Sequence, residues 1–398
     1  MSTSAFVLLV CYGVIVTVWK VLHVMLLFYK PKRFFLGAQA PRLTDGPLVS
    51  ILLAAKDEQG NVGDCIRSIL AAEYKNFELI VIDDRSSDGT FAEAEQAAAG
   101  DPRVRLLRVR ELPDGWTGKM NAVQQGLAVA RGELLLLVDA DSRHTPQTLG
   151  AALHVQKRRN LDLLSLLPRF DHHGLFSKLV QPLVGVVTFL WKPLPLVNSR
   201  HCRGVAMGWG GFLLLRRPAL EAVGGFEAVR DRFAADIALV RLFKRSGRRV
   251  RLLHAPELVA TSMYTSFPAL VAGWSRILRI TVDNRALLLV ATLLLIWLFG
   301  LSAYAATGVG LVELIRGKGR PLRLLLGTMG VMHLVFQISC LGRIYRFSGT
   351  NPLYALGHLP ALLFTAFLTV LALVRSRSSR MTWRGTSYRL SADGRALG

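Results

Sequence analysis

Hydrophobic positions along this chain fall into three kinds of pattern. Residues 5–29, AFVLLVCYGVIVTVWKVLHVMLLFY, are apolar but for a few positions such as Lys20 and His23. A run of this length predicts a helix able to cross a bilayer core of roughly 30 Å. A cleaved signal peptide would carry a basic start, a shorter apolar stretch and a small-residue site, and these are not seen here. Residues 1–30 are therefore expected to form a retained transmembrane helix. Lys30, Lys32 and Arg33 follow it, which places the N-terminus outside and residue 30 onward in the cytosol.

The second pattern is a rhythm of short apolar runs and amphipathic stretches over 47–262, after a linker at 34–47 with Pro41, Gly46 and Pro47. Strands are predicted at Val49–Ala54, Glu78–Ile82 (stopped by Asp83-Asp84), Val104–Leu107 and Leu134–Val138. Helices are predicted at Gly63–Ala72, Phe91–Ala99 and Met120–Ala130. Strands separated by helices imply a mostly parallel sheet covered on both faces, and such sheets bind ligands at the carboxyl ends of their strands. Further on, Gly208–Leu215 reads as a strand and Ile237–Ser246 as a helix before Gly247.

The third pattern is apolar but interrupted. Leu175–Val197 contains Lys178, Lys192, Pro182, Pro193 and Pro195. The prolines argue against one straight spanning helix, and an interfacial segment over 175–198 is expected. Residues 263–285 read as an interfacial connection. Apolar blocks at 286–312, 324–342 and 353–374 form a C-terminal membrane region, 286–374, followed by a basic cytosolic tail, 375–398. Three simple spans would put Arg316, Lys318, Arg320 and Arg323, and also Arg375, Arg377, Arg380 and Arg384, on the outside. That breaks the positive-inside rule twice. A first block that bends near Phe299-Gly300 and returns brings both clusters inside, and this topology is the one expected.

Composition sharpens the picture. The 398 residues are 52% hydrophobic and 19% charged, with mean hydropathy +0.37 and net charge +22. Acidic disordered chains, disulfide miniproteins and collagen-like fibres are excluded. The charge excess is +4 before residue 47, +6 over 47–262 and +12 beyond. Bases placed beside apolar runs suit anionic headgroups, whereas nucleic-acid binding calls for a basic stripe on one folded face; a membrane partner and no nucleic acid are expected. Cys11, Cys65, Cys202 and Cys340 have no metal-ligand spacing, and neither a disulfide framework nor a zinc site is expected.

Four polar groups stand where chemistry would be done. Asp139 and Asp141 follow the strand LLLLV, and two carboxylates so spaced can share a divalent cation with donor phosphates, or serve only as solvated loop acids. Asp84 ends the strand ELIVI in DDRSSDGT. Its carboxylate can accept from a base or ribose, while Ser87 or Asp88 can cap the next helix. In GWTGKMNA, Lys119 stands at a helix start and can meet a phosphate or simply face solvent. Asp236 in FAADIAL can N-cap a helix or act as a base at a cleft edge.

The order of these motifs carries a resemblance. PLVSILLAAKDEQGNV, ELIVIDDRSSDGT, GWTGKMNAVQQGLAVARGELLLLVDADS, GWGGFLLLRRPALEAVGGF and AADIALVRLFKRSGRRV together resemble the family 2 glycosyltransferases, with a nucleotide-diphospho-sugar transferase fold. The flanking apolar segments and Thr382-Trp383-Arg384-Gly385 resemble membrane-bound members that glycosylate lipids, of hopanoid-associated, carotenoid-type and ceramide-glucosyltransferase-like kinds. The likeness covers roughly 47–285 well and the remainder loosely.

That resemblance implies an α/β catalytic domain flanked by transmembrane helices. It implies a nucleotide-sugar donor, UDP-linked by family habit, a Mg²⁺ or Mn²⁺ cofactor and a lipid acceptor in a bacterial inner membrane. Asp84 would recognise the base, with Ala54, Ala55 and Lys56 lining that site. Lys119 and Asp139 would face the nucleotide, and Asp141 would ligate the metal together with Asp139. Asp236 would be the base of an inverting transfer. Trp209, Gly210, Trp274 and Arg276 fall on the acceptor side, although Trp274 suits an interfacial anchor equally.

Two departures stand out. The family's usual Glu-Asp is Ala235-Asp236 here, and the loss of a like charge should lower the Asp236 pKa. The Gln/Arg-x-x-Arg-Trp motif of processive relatives is absent in that form, which favours transfer of a single sugar. Two other readings stay open: transfer to a polyprenyl phosphate, and a catalytically silent membrane scaffold.

Overall fold

The computed structural model describes residues 3–28, 31–171, 174–264, 266–317, 319–376, 380–383, 386–390 and 396–397. Lys30, Lys318, Arg377, Arg384 and Gly385, singled out above, lie outside them. Thr3–Phe28 forms α1 as expected. The chain divides into two compact units, one holding residues 1–31, 172–191 and 264–377, the other 32–171, 192–263 and 378–398. The second is wider than the expected 47–262 at both ends.

This second unit is built on alternating elements: β1 (Val49–Ala55), α2 (Val62–Leu70), β2 (Phe77–Asp84), α3 (Thr90–Ala98), β3 (Val104–Val109), α4 (Gly118–Val129) and β4 (Leu134–Asp139). The continuous apolar runs of β1, β2 and β4 form strands because both faces are covered, and Leu52, Leu53, Ile80, Ile82 and Leu135 are fully buried. After β4 come β5 (Ser142–His144), α5 (Thr148–Arg158), β6 (Leu163–Leu167) and β7 (Arg169–Phe170). The chain re-enters this unit past α6 (Gly174–Trp191) with α7 (Leu194–Val197), β8 (Leu213–Arg216), α8 (Arg217–Glu221), α9 (Ala235–Arg245), β9 (Val250–His254) and β10 (Val259–Thr261).

The seven-stranded sheet runs β3-β2-β1-β4-β8-β6-β9. Only the pairings of β8 are antiparallel; the others are parallel. A small ribbon, β5-β10-β7, lies beyond the end of β4.

The other unit is helical. It comprises α1, α6, α10 (Phe267–Thr281), α11 (Ala286–Ile296), α12 (Ser302–Ile315), α13 (Pro321–Phe347) and α14 (His358–Ser376). Among the described residues, five helical stretches are long and apolar enough to cross a membrane. Within this unit α13 packs on α1 and α12, while α14 packs on α6, α10 and α11.

Three expectations need correction. Asp83 and Asp84 do not stop β2 but form its buried end. Helix α6 runs through Pro182, and the break comes instead at Lys192-Pro193, where the next helix begins with prolines. The block at 286–312 does not bend back: α11 and α12 are joined by a π-helical turn, Trp297–Leu301, and Ile296, Leu301 and Ser302 keep right-handed helical dihedrals. A π-turn inserts one residue into a helix without reversing it.

The tail also departs from expectation. Arg380–Trp383 (β11), Thr386–Leu390 (β12) and Ala396–Leu397 (β13) form an antiparallel sheet that belongs to the unit of the large sheet.

Candidate active site

Adjacent parallel strands bring their carboxyl ends together. Ala54 pairs with Ile82 on one side and Asp139 on the other, and Ala55 pairs with Asp83. Ala54, Ala55 and Lys56 therefore end β1 between the acids of β2 and the acid of β4, with the side chains of Ala54 and Ala55 on opposite faces of the sheet. Asp84 is buried and accepts from Arg85 Nε at 2.8 Å. The N-cap of α3 is Gly89 and not Ser87 or Asp88, although Asp88, one residue earlier, accepts the Thr90 N–H at 3.0 Å; Asp84 takes no part in capping.

Lys119, the second residue of α4, is ion-paired to Asp139. Burial alone would lower its pKa, but Asp139, Asp236 and Asp141 hold it above the usual lysine value. Asp141 lies in the turn between β4 and β5. Burial, then the charges of Asp139 and Glu58, push its pKa up to about 7, with Lys119 opposing only in part. Its Oδ1 is buried and receives no hydrogen bond.

A buried, unpartnered carboxylate oxygen amid like charges fits a hard divalent cation. Among the described residues no three His, Cys, Asp or Glu side chains converge into a full ligand set. A cation on Asp141 and Asp139 would then complete its shell with donor phosphates and water, as Mg²⁺ commonly does.

Asp236 does not N-cap α9; it lies within the first turn, and Ala234 precedes the helix. Its Oδ2 accepts the Gly210 N–H at 3.1 Å and its Oδ1 the Ile237 N–H at 2.8 Å. Gly210 permits this close approach: a Cβ there would stand 3.2 Å from Lys119 Nζ and 3.4 Å from Asp236 Oδ2. Burial raises the Asp236 pKa, and Lys119 draws it back. The absent Glu is thus not what sets its direction. Ala235 packs instead against the apolar cluster containing Leu239, Val240 and Phe243.

Trp209 is held by its backbone, whose N–H donates to Ser165 Oγ at 2.8 Å. Its ring meets Phe170 edge-on at 5.4 Å, and its indole nitrogen is buried without an acceptor. Asp139, Asp141, Lys119, Gly210 and Asp236 thus form one cluster. Trp274 and Arg276 belong to the helical unit, on α10. Trp274 is buried, with its ring 6.5 Å from that of Tyr264, which does not suit a lipid-exposed anchor.

The motif reading did not single out Arg85, Glu58 or Tyr388. Arg85 adopts φ +57°, which no sequence signal marks in a non-glycine residue. Tyr388 lies 270 positions from its partner Gly118.

Residues 50–224, which carry the strand-end acids, match the family model described as Glycosyl transferase family 2. The chain carries a family 2 glycosyltransferase domain. The Bacillus subtilis protein named "Putative glycosyltransferase EpsE" is 28% identical over 54% of the chain and 73% of its own length. Dodecaprenyl-phosphate galacturonate synthase of Rhizobium johnstonii is 29% identical over 33% of the chain and 38% of its length. Beta-monoglucosyldiacylglycerol synthase of Trichormus variabilis is 35% identical over 27% of the chain and 23% of its length. The chain therefore spans well under half of the latter two.

Among solved structures, a mannosyltransferase from Pyrobaculum calidifontis, in complex with GDP-Man and Mn²⁺, aligns with TM-score 0.47 and 17% identity. That alignment covers 92% of this chain and 98% of the other. The glycosyltransferase domain has a mostly parallel sheet, with apolar helices on both sides of it in sequence.

Proposed function

We propose that this chain transfers one sugar from a UDP-linked donor to the hydroxyl of a membrane lipid at the cytosolic face of a bacterial inner membrane, with inversion at the anomeric carbon. The observation that carries this reading is the cluster itself. A half-buried carboxylate, Asp236, stands beside Lys119, and Lys119 is paired to the strand-end acid Asp139. Such a set offers a base and a cationic place for the donor phosphates within one site.

Asp236 would take the proton of the acceptor hydroxyl as its oxygen bonds to the anomeric carbon. The bond from that carbon to the diphosphate breaks, and its electron pair leaves with the diphosphate. Lys119 holds charge next to that leaving group. Mg²⁺ or Mn²⁺ on Asp141 and Asp139, when bound, supplies further neutralisation of the diphosphate. Ala54, Ala55, Lys56 and Asp84 form the base side of the site, and Trp209 and Gly210 lie on the acceptor side.

The test is transfer by the purified protein in detergent from labelled UDP- and GDP-sugars to a total lipid extract, with and without Mn²⁺. The expected result is a metal-dependent, organic-soluble product lost in Asp236→Asn and Asp141→Asn. Equal product from those variants would overturn the assignment. The name of the Rhizobium relative supports a second acceptor, a polyprenyl phosphate. An acid-labile product that retains phosphate would select it. A silent scaffold would bind UDP and give no product with any donor.

A further inference from the structure

The tail sheet β11-β12-β13 contributes one described side chain to the glycosyltransferase unit, Tyr388 on β12, and it is 8% exposed. Its hydroxyl accepts the Gly118 N–H at 3.2 Å, at the first residue of α4. Its ring meets Phe233 edge-on, with centroids 4.9 Å apart, and Phe233 lies three residues before Asp236. Its phenol is also an electrostatic neighbour of Arg85, which Asp84 binds first and most strongly.

Gly118 closes this group from the other side. A Cβ on Gly118 would stand 2.2 Å from Asp84 Oδ2 and 2.8 Å from Arg85 Nη2, so only glycine lets α4 start this close to β2. Asp84, Arg85, Gly118 and Tyr388 therefore pack together as one polar group. Two features of it call for a ligand. Arg85 Nη2 is buried with no hydrogen-bond acceptor, on a residue whose φ of +57° is costly outside glycine. The Gly118 amide, at a helix N-terminus that favours negative charge, donates its hydrogen bond to a phenol oxygen and not to an anion.

We propose that the C-terminal strand β12 completes the nucleotide-binding site. Tyr388 is a positioning residue in it: the phenol fixes Arg85 and the start of α4 for a nucleoside diphosphate. The inference rests on the reading of Asp84 as the group that meets the base. In that arrangement the ligand's base lies toward Asp84 and Arg85 and its phosphates toward Lys119, one residue beyond Gly118. The tail is then part of the donor site although it follows the last apolar helix in sequence.

The test uses the full chain in detergent with UDP and Mn²⁺ as the probe, and compares Tyr388→Phe, Tyr388→Ala and Asp84→Asn. Tyr388→Phe keeps the ring and removes one hydrogen-bonding hydroxyl; a loss of about 3- to 10-fold in UDP affinity is expected. Its melting temperature without nucleotide should fall only by the worth of one hydrogen bond, while the UDP-induced rise in melting temperature should shrink. Tyr388→Ala should weaken UDP further. Unchanged UDP affinity in Tyr388→Phe, with affinity lost in Asp84→Asn, would overturn the role of the tail and leave the base reading intact. Unchanged affinity in Asp84→Asn would overturn the base reading itself. If Tyr388→Ala fails to fold, Tyr388→Phe alone decides.

Discussion

Asp236 and Gly118 illustrate two ways in which a single residue is tied to the site. Asp236 is held by the amides of Gly210 and Ile237 at 3.1 and 2.8 Å. Asparagine preserves the volume and one acceptor but cannot take a proton. Asp236→Asn should lower kcat by about 10²- to 10⁴-fold, the usual worth of a general base, with UDP affinity nearly unchanged; initial rates and a UDP titration check both. At Gly118 the constraint is steric, since a methyl group would meet the Asp84 carboxylate at 2.2 Å. Gly118→Ala should cost about 1–3 kcal/mol, as overpacking does, read as a lower melting temperature together with weakened UDP binding. The sequence made Asp84, Asp139, Asp141, Lys119 and Asp236 legible because each polar group interrupts an apolar run or opens a helix. Arg85 and Tyr388 were hidden because a strained φ and a contact across 270 residues leave no local pattern.

At the scale of elements, strand boundaries followed from burial. β1, β2 and β4 are covered on both faces and therefore read as unbroken apolar runs. The ribbon β5-β10-β7 has strands of three residues or fewer, too short for any period to show. Helix α9 carries Asp236 at its start and Lys244 near its end. Lys244 Nζ donates to the carbonyls of Leu196, Val197 and Val205 at 3.1, 2.7 and 2.5 Å, pinning the loop that leads to Trp209 and Gly210. Burial lowers its pKa to about 8, with Cys202 opposing. Between that value and the unfolded lysine value of about 10.4, the unfolded chain binds the extra proton. Stability therefore rises with pH across this window, and below it the full cost of charging a buried lysine is present. Lys244→Met escapes that cost but strands three carbonyls. Its deficit in melting temperature relative to wild type should widen as pH rises from 8 to 10. Thermal unfolding by intrinsic fluorescence at several pH values measures this, and a gap independent of pH would contradict the assignment.

At the scale of the whole molecule, chain connectivity constrains the membrane topology more tightly than charge counting did. Strand β6 precedes α6 and β8 follows it, yet the two are hydrogen-bonded neighbours in one sheet. Both ends of α6 therefore lie on one side of any bilayer, and α6, though apolar enough to cross, makes no single crossing. The same reasoning applies to residues 264–377, because the chain leaves the glycosyltransferase unit before them and rejoins it with the tail sheet. An even number of crossings must separate those two points, yet three long apolar stretches lie between them among the described residues. At least one of the three does not cross. The bend near Phe299-Gly300 would have met this condition, but the helix continues there through a π-turn. Within the helical unit, α14 packs on α6 and α10 as well as on α11, and it meets α6 more extensively than α13 does; α6 is already excluded as a single crossing. This company favours α14 as the helix that stays on one side, with α11–α12 and α13 forming the crossing pair. Single cysteines placed at Gly349 and Ser376, the two ends bracketing α14, in a background lacking the native cysteines, should then react with an impermeant maleimide from the same side as one at Arg158 on α5. A cysteine at Gly317, between α12 and α13, should react from the opposite side. Labelling of Ser376 from the side opposite Arg158 would break the parity argument. Labelling of Gly317 from the Arg158 side would move the non-crossing role to α11–α12 and put the cluster Arg316, Arg320 and Arg323 on the side that the positive-inside rule prefers.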